Sequence, residues 1–356
     1  MSEPDTAYMR RALRLAARAA GRTSPNPMVG ALVVRNGEIV GEGFHHAAGE
    51  PHAEVNALAN AGAAARGATL YTNLEPCAHH GRTPPCVDAI REAGVERVVV
   101  AMRDPDPRTD GKGMRALRAA GVDVDEGVLR EDAERLNAGF ISRIKRGRPH
   151  VLVKLAATVD GRVTVPGRRY LSGKRALREV HRLRDRSDAV LVGIGTVLAD
   201  DPALTVRELK GRDPLRVIVD ADARTPPAAK VVRAKDPQRT VIFVARDAEI
   251  RRTKKLRDAG VLLVTVPRAD GGLDLGAVLR WLGEHGVNTV MSEAGPSVAG
   301  ALVRSRLADR LLLILSPIAG GDGPAALESV TTPTALTDVR VRRLGDDVLV
   351  EGALRE

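Results

Sequence analysis

The residues of this chain best suited to chemistry are His52 and Glu54, followed by the dipeptides Pro76-Cys77 and Pro85-Cys86. An imidazole and two thiolates are donors that zinc prefers, and three protein ligands leave a fourth tetrahedral position for water, as in a catalytic site. Both cysteines follow a proline where a helix start is expected, and backbone N–H groups there favour thiolate, the form that binds metal. Glu54 falls in the first turns of the helix that begins near His52, so it can approach the open position without ligating and move protons there. A closed, structural site would instead need a fourth ligand from His45, His79 or His80. With two cysteines in the whole chain and no sign of secretion, a disulfide framework is not expected.

The elements that must position these groups alternate between helix and strand. Alanines, leucines and arginines at helical spacing predict a helix from Asp5 to Gly21. Strands over Met28 to Val34 and Glu38 to Gly43 flank Asn36-Gly37, a strong hairpin signal. A helix from Pro51 to about Ala65, a strand from Ala68 to Asn73, a helix from Pro85 to Gly94 and a strand from Arg97 to Met102 follow. A helix-strand pair near Gly113 to Val124 completes an α/β domain. The basic run Arg143 to Pro149 predicts a linker, which gives domains over 1–145 and 146–356. In the second domain, apolar strands are expected at His150 to Thr158, Asp188 to Gly193, Leu215 to Asp220, Thr240 to Ala245, Val261 to Val266 and Asn288 to Met291. Helical stretches such as Gly173 to Arg186 and Leu275 to His285 alternate with them, the pattern of a largely parallel, buried sheet. The end, Arg310 to Pro317 and Val339 to Gly352, is expected as antiparallel strands.

A length of 356 residues suits two domains, and 44% apolar with 28% charged residues is ordinary for globular chains. No run approaches the roughly 18 apolar residues of a membrane span, and the opening segment carries early acids, so a cytoplasmic chain with no membrane partner is expected. The formal charge of +10 is unevenly distributed: residues 1–145 hold 19 Lys or Arg against 19 Asp or Glu, and the remainder 36 against 26. Aromatic residues are 2% of the chain, too few for the stacking platforms of single-strand binders. Phosphorylated small molecules, not nucleic acid, are the expected partners, and a homo-oligomer is the expected assembly.

The order His-x-Glu, Pro-Cys, Cys follows the pattern of zinc deaminases that act on nucleobases, with a longer gap between the cysteines. The runs Pro25-Asn26-Pro27-Met28-Val29-Gly30, Gly49-Glu50-Pro51-His52-Ala53-Glu54 and Leu74-Glu75-Pro76-Cys77-Ala78-His79-His80-Gly81-Arg82-Thr83-Pro84-Pro85-Cys86 together resemble the bifunctional riboflavin biosynthesis deaminase-reductase family. The resemblance extends over nearly the whole chain, and the long insert sets this family apart from cytidine and tRNA adenosine deaminases. It implies an α/β chain with a cytidine-deaminase-like three-layer domain followed by a dihydrofolate-reductase-like domain. It also implies one zinc ion on His52, Cys77 and Cys86, catalysis by Glu54, and hydrolytic deamination of 2,5-diamino-6-(5-phosphoribosylamino)pyrimidin-4(3H)-one. Asn26, His45, His79 and Arg82 match positions around that substrate; an amide can read a pyrimidine edge and Arg82 can pair with phosphate. Asn26, between two prolines, is equally a good turn residue. Asp106 stands where the family often has asparagine, so no substrate contact is expected from Met102 to Pro107.

In the second domain, Val290 to Gly300 runs strand, glycine turn, helix, which can present N–H groups to a phosphate; it is not the dinucleotide fingerprint, and by composition alone an ordinary β-to-α turn is the better reading. Lys154 to Gly161, Gly193 to Thr205 and Glu293 to Pro296 resemble the family's reductase domain, which implies reduction of a ribosyl group to ribityl by NADPH. By the same likeness, Ala156, Tyr170, Thr196, Asp200, Ala221 and the stretch Gly295, Pro296, Ser297, Val298, Ala299, Gly300, Ala301 match cofactor positions. Arg184, Leu204, Arg207 and Glu293 match substrate positions, the arginines suiting phosphate; Lys154, as the group that polarises the sugar carbon, and Arg168 are expected beside the same substrate. The loop Val165 to Ser172 is shorter than the family's, with Arg168 at a serine place and Tyr170 at a tryptophan place. Three other readings stay open: a chain active only as a deaminase, a nucleoside or tRNA deaminase with a non-catalytic second domain, and a zinc-stabilised scaffold. The balanced charge of the zinc half opposes RNA binding, and Glu54 opposes the scaffold.

Overall fold

The computed structural model describes residues 3–79, 84–168, 170–269, 271–320, 323–328 and 330–354. The chain divides into two compact units, Met1–Gly147 and Arg148–Glu356. In the first, helix α1 (Glu3–Ala16) precedes the hairpin β1 (Gly30–Arg35) and β2 (Glu38–Phe44), followed by α2 (Ala53–Ala61), β3 (Thr69–Leu74), α3 (Cys86–Glu92), β4 (Arg97–Met102), α4 (Lys112–Ala119), β5 (Asp123–Glu126), α5 (Arg130–Leu136) and α6 (Ala138–Arg146). Asn36 and Gly37 both have positive φ, as the tight hairpin turn requires. The sheet order is β2-β1-β3-β4-β5, with β1 antiparallel to both neighbours and β3, β4 and β5 parallel.

Three layers follow from the pleat. Gly30 pairs with Phe44 across the hairpin, so Gly43 points to the opposite face. A Cβ on Gly30 would strike the Ala12 carbonyl of α1, and one on Gly43 the Ala53 carbonyl of α2. The two helices therefore cover opposite faces, and α2, which carries Glu54, rests directly on the backbone of β2.

The second unit contains β6 (His150–Thr158), α7 (Lys174–Arg186), β7 (Ala189–Gly193), α8 (Ile194–Asp200), β8 (Leu215–Val219), β9 (Thr240–Ala245), α9 (Ile250–Asp258), β10 (Leu262–Val266), the short pair β11 (Arg268–Ala269) and β12 (Gly272–Leu273), α10 (Leu275–Glu284), β13 (Thr289–Ser292), α11 (Pro296–Arg304), β14 (Arg310–Ser316), β15 (Leu336–Leu344) and β16 (Asp347–Leu354). Nine strands form one sheet in the order β10-β9-β8-β7-β13-β6-β14-β16-β15. Ala189 and Leu191 of β7 enter one apolar cluster and Val190 and Val192 another, so both faces are covered, as continuous apolar strands demand. Among the described residues, no helix is long and apolar enough to cross a membrane.

Three expectations need correction or extension. β14, β16 and β15 form the expected antiparallel run, but β14 is also parallel to β6 and so joins that run to the parallel sheet. The basic run at 143–149 is not all linker: α6 continues to Arg146, because Phe140 and Ser142 are buried, and Gly147 in the left-handed region ends it. Cys77 does not begin a helix; it follows β3 in an irregular segment, and Cys86 alone opens one.

Candidate active sites

In the first unit, His52 is the residue capping the start of α2, Cys77 follows β3, and Cys86 is the first residue of α3. Their ligand atoms, the His52 ring nitrogen and the two sulfurs, lie within 4.8 Å of one another. His52 Nδ1 is 3.2 Å from Cys86 Sγ and 3.6 Å from Cys77 Sγ. Cys86 N–H donates to Cys77 Sγ at 3.3 Å, so the helix start that favours thiolate serves Cys77 from across the site. Hydrogen bonding by the Cys86 thiol, and by His52, brings the Cys77 thiol down to about 4, against the opposing effect of burial. Cys86 moves the other way, well above the usual thiol range, because its proton is held between Cys77 and Glu54 in a buried setting. A soft donor set already biased towards one thiolate fits a zinc ion.

Glu54 is 3% exposed, and its Oε2 accepts from Cys86 Sγ at 3.6 Å. Burial raises its carboxyl to about 7, with His52 opposing. That is the range in which a carboxyl can both take and return a proton at neutral pH.

A cavity of about 530 Å³ opens onto this cluster and is lined by Asn26, His45, His52, Glu54, Cys77 and His79 among others. His45 Nδ1 lies 3.1 Å from the Pro51 carbonyl, so it carries the proton, and its Nε2 accepts from Asn26 Nδ2 at 3.0 Å. Burial lowers the His45 pKa, which keeps that ring neutral. His79 Nδ1 is 3.3 Å from Thr109 Oγ1. Arg82, matched to the phosphate, lies outside the described residues.

Sequence reasoning missed Asp104, Arg108, Phe140 and Arg143, which also line the cavity, as does Asp106. The segment 102–107, from which no contact was expected, therefore forms part of the wall. Arg108 grips Asp106 with Nη2–Oδ2 at 2.6 Å, and burial lifts the Asp104 carboxyl to about 7. The loop is fixed by Glu75, whose carboxyl accepts from the backbone N–H of Asp104, Gly111, Gly113 and Met114 at 2.9–3.2 Å.

In the second unit, β6 carries Lys154 and Ala156, α7 carries Arg184, and Glu293 follows β13. Arg184 donates Nε to Glu293 Oε1 at 2.6 Å, Nη2 to Oε2 at 2.9 Å and Nη1 to the Thr205 carbonyl at 2.9 Å. All three guanidinium nitrogens thus already donate within the protein, and Arg184 orients Glu293 more than it awaits an anion. Burial would raise the Glu293 carboxyl, but Arg184 and then Lys154 bring it below its usual range. Burial lowers Lys154, with Glu293 opposing. Leu204 is buried with φ of 53°, an unusual backbone for a bulky residue, while Arg207 is exposed. Arg168 is also exposed, its backbone bridging to Val165, and Tyr170 is 55% exposed.

Of the cofactor-matched positions, Thr196, Asp200, Ala221 and Gly295 to Ala301 follow the carboxyl ends of β7, β8 and β13, where open α/β sheets take ligands, while Ala156 lies within β6. A Cβ on Gly295 would sit 3.9 Å from Thr196 Oγ1, and one on Gly193 3.0 Å from Val298 Cγ2, so the starts of α8 and α11 are in contact. Asp200 ends α8, and Ala221 accepts from Ala245 N–H at 3.0 Å just beyond β8. The outer face of α11 is occupied by the chain itself: Ser297 Oγ donates to Glu328 Oε2 at 2.6 Å, and the Glu328 carbonyl lies over Gly300.

Residues 149–350 match the RibD C-terminal domain, and residues 2–102 the zinc-binding region of cytidine and deoxycytidylate deaminases. Riboflavin biosynthesis protein RibD of Escherichia coli K12 is 41% identical over 365 residues, covering 97% of this chain and 98% of that one. The chain belongs to the RibD family. The Aquifex aeolicus RibD is 40% identical over 355 residues, with 98% of both chains covered. Among solved structures, Acinetobacter baumannii RibD superimposes with a TM-score of 0.89 at 34% identity, over 99% of each chain. The Thermotoga maritima diaminohydroxyphosphoribosylaminopyrimidine deaminase/5-amino-6-(5-phosphoribosylamino)uracil reductase gives 0.86 at 35%, again over 99% of each. The RibD fold accounts for both units: cytidine-deaminase-like first, dihydrofolate-reductase-like second.

Proposed function

We propose that this bifunctional enzyme of riboflavin biosynthesis deaminates 2,5-diamino-6-(5-phosphoribosylamino)pyrimidin-4(3H)-one in its first unit and reduces the product's ribosyl group to ribityl, with NADPH, in its second. The observation that carries the reading is the convergence of His52, Cys77 and Cys86 within 4.8 Å beside the buried carboxyl of Glu54. Zinc, when bound by those three side chains, supplies Lewis acidity that makes water a nucleophile near neutral pH.

Glu54 takes a proton from the attacking water and returns protons to the ring nitrogen and the departing amine, which leaves as ammonia while a carbonyl replaces it. Its burial and its place two residues after His52, at the start of α2, suit that task without ligation. Asn26 reads the pyrimidine edge, held by His45, whose neutral ring is fixed by the Pro51 carbonyl. His79, Arg82 and the cavity-lining Arg108 and Arg143 receive the phosphorylated sugar.

In the second unit NADPH supplies the hydride. Lys154, destabilised as an ammonium by burial, gives up the accompanying proton; Glu293, oriented by Arg184, accepts from sugar hydroxyls. Arg168 and Arg207 take the phosphate, Leu204 closes against the ring, and the positions from Ala156 to Ala301 matched above hold the dinucleotide.

The test is direct. Purified protein given the diaminopyrimidine phosphate should release ammonia, and adding NADPH should then bleach the nicotinamide band. Stripping zinc with a chelator should abolish ammonia release and leave NADPH oxidation intact when the deaminated pyrimidine is supplied. Full deamination by metal-free protein would overturn the reading of the first unit.

A further inference from the structure

The loop from 204 to 213, which carries Arg207, is held to α7 in a way the reaction scheme does not use. Thr205 presents its carbonyl to Arg184 Nη1 at 2.9 Å, Val206 N–H donates to Asp213 Oδ1 at 2.7 Å, and Arg207 N–H donates to His181 Nδ1 at 3.2 Å. Arg212 N–H donates to Asp185 Oδ1 at 2.8 Å. Consecutive backbone groups are thus each tied by a side chain, three of those side chains coming from α7. Leu204, buried at 1% with φ of 53°, keeps its costly backbone only because its neighbours are fixed.

We infer that His181 is a positioning residue of the reductase site, whose Nδ1 holds the backbone of Arg207 so that the exposed guanidinium is aimed at the phosphate of the substrate. The inference rests on the proposed role of Arg207. His181 is 7% exposed and lies one turn before Arg184 on α7, so it is rigid where Arg207 is not. Because Nδ1 accepts from an N–H, the ring proton must sit on Nε2 and the imidazole must be neutral. Its surroundings keep it so: burial lowers its pKa, Arg184 and Arg207 act in the same direction, and Glu208 and Glu293 oppose them. Protonation would set two N–H groups against each other and release the loop.

Steady-state kinetics of the full-length zinc enzyme, with the deaminated pyrimidine phosphate and NADPH, test this. His181→Leu should raise KM for the pyrimidine about 10-fold, the loss expected for one buried hydrogen bond, and leave kcat within about two-fold. His181→Asn, whose amide oxygen reaches the place of Nδ1, should restore KM; His181→Gln, which reaches the place of Nε2, should not. KM of the unaltered enzyme should rise as pH falls below the ordinary imidazole range, and that of His181→Asn should rise less. An unchanged KM in His181→Leu, or no rescue by Asn, overturns the inference; if the Leu variant fails to fold, the Asn and Gln variants decide. Arg207→Gln separates the two layers. A raised KM there with a normal His181→Leu removes the role of His181 alone, whereas an Arg207→Gln without effect removes the role of Arg207 and this inference with it.

Discussion

Cys77, Cys86 and Glu54 share a site and treat a proton differently. Cys77 is brought down towards thiolate by its hydrogen bonds, while the bond to Cys77, burial and the neighbouring acid hold the Cys86 proton in place. Glu54, raised to about 7 by burial, lies between these extremes. A carboxyl in that range serves as a shuttle, and an amide of the same shape cannot. Glu54→Gln should therefore retain zinc by elemental analysis while ammonia release falls by roughly 10²- to 10⁴-fold; undiminished turnover would refute the shuttle. In the second unit, Glu293 is the only carboxylate that faces both Arg184 and Lys154 among the contacts described. Glu293→Gln should leave the buried guanidinium of Arg184 unpaired, costing about 3 kcal/mol of stability and most of the NADPH oxidation while ammonia release persists. Thermal melts and the two assays, run side by side, check it.

At the scale of elements, Cys77, the proposed metal ligand, is placed by β3 and by what packs against Pro76. Gly113 of α4 lies so close that a Cβ there would overlap the Pro76 carbonyl, and Glu75 ties the loop before α4 to the same strand end. Gly113→Ala should push α4 off Pro76 and displace Cys77, lowering zinc retention on dialysis and ammonia release together and sparing NADPH oxidation. Wild-type zinc retention in that variant would show the contact to be yielding. The same elements show what the sequence makes legible. β4 and β9 begin and end where expected, because each is an apolar run bounded by polar residues. The convergence of His52, Cys77 and Cys86 beside Glu54 is legible because zinc favours those donor types and their spacing follows the pattern of zinc deaminases. α5 was not foreseen, since Ala133 is its one buried side chain and leaves no apolar period to detect. Asp104, Phe140, Arg143 and His181 went unnoticed for a different reason: each reaches its site through sheet order or loop path, and nothing local marks it.

At the scale of the whole chain, the start of the second unit is fastened by charge. Arg148 donates Nη1 to Asp309 Oδ2 at 2.8 Å and Nη2 to Oδ1 at 3.1 Å, and Val151 N–H donates to Oδ2 at 2.7 Å as β6 begins. The Asp309 side chain is 9% exposed, and burial alone would raise its pKa; the Arg148 bonds overcome this and bring it below the usual carboxylate value. A carboxyl whose pKa is depressed by folding contributes stability above its unfolded value of about 3.9. That contribution is lost as pH falls through the folded value, because the protonated group is then favoured equally by both states. Asp309→Asn should lower the melting temperature at neutral pH, by an amount equivalent to roughly 3 kcal/mol. The gap between variant and parent should be constant from pH 7 to about 5 and close below about 4. A gap that stays the same at pH 3 would mean that Asp309 stabilises by packing and not by charge, and the fastening would then be independent of Arg148.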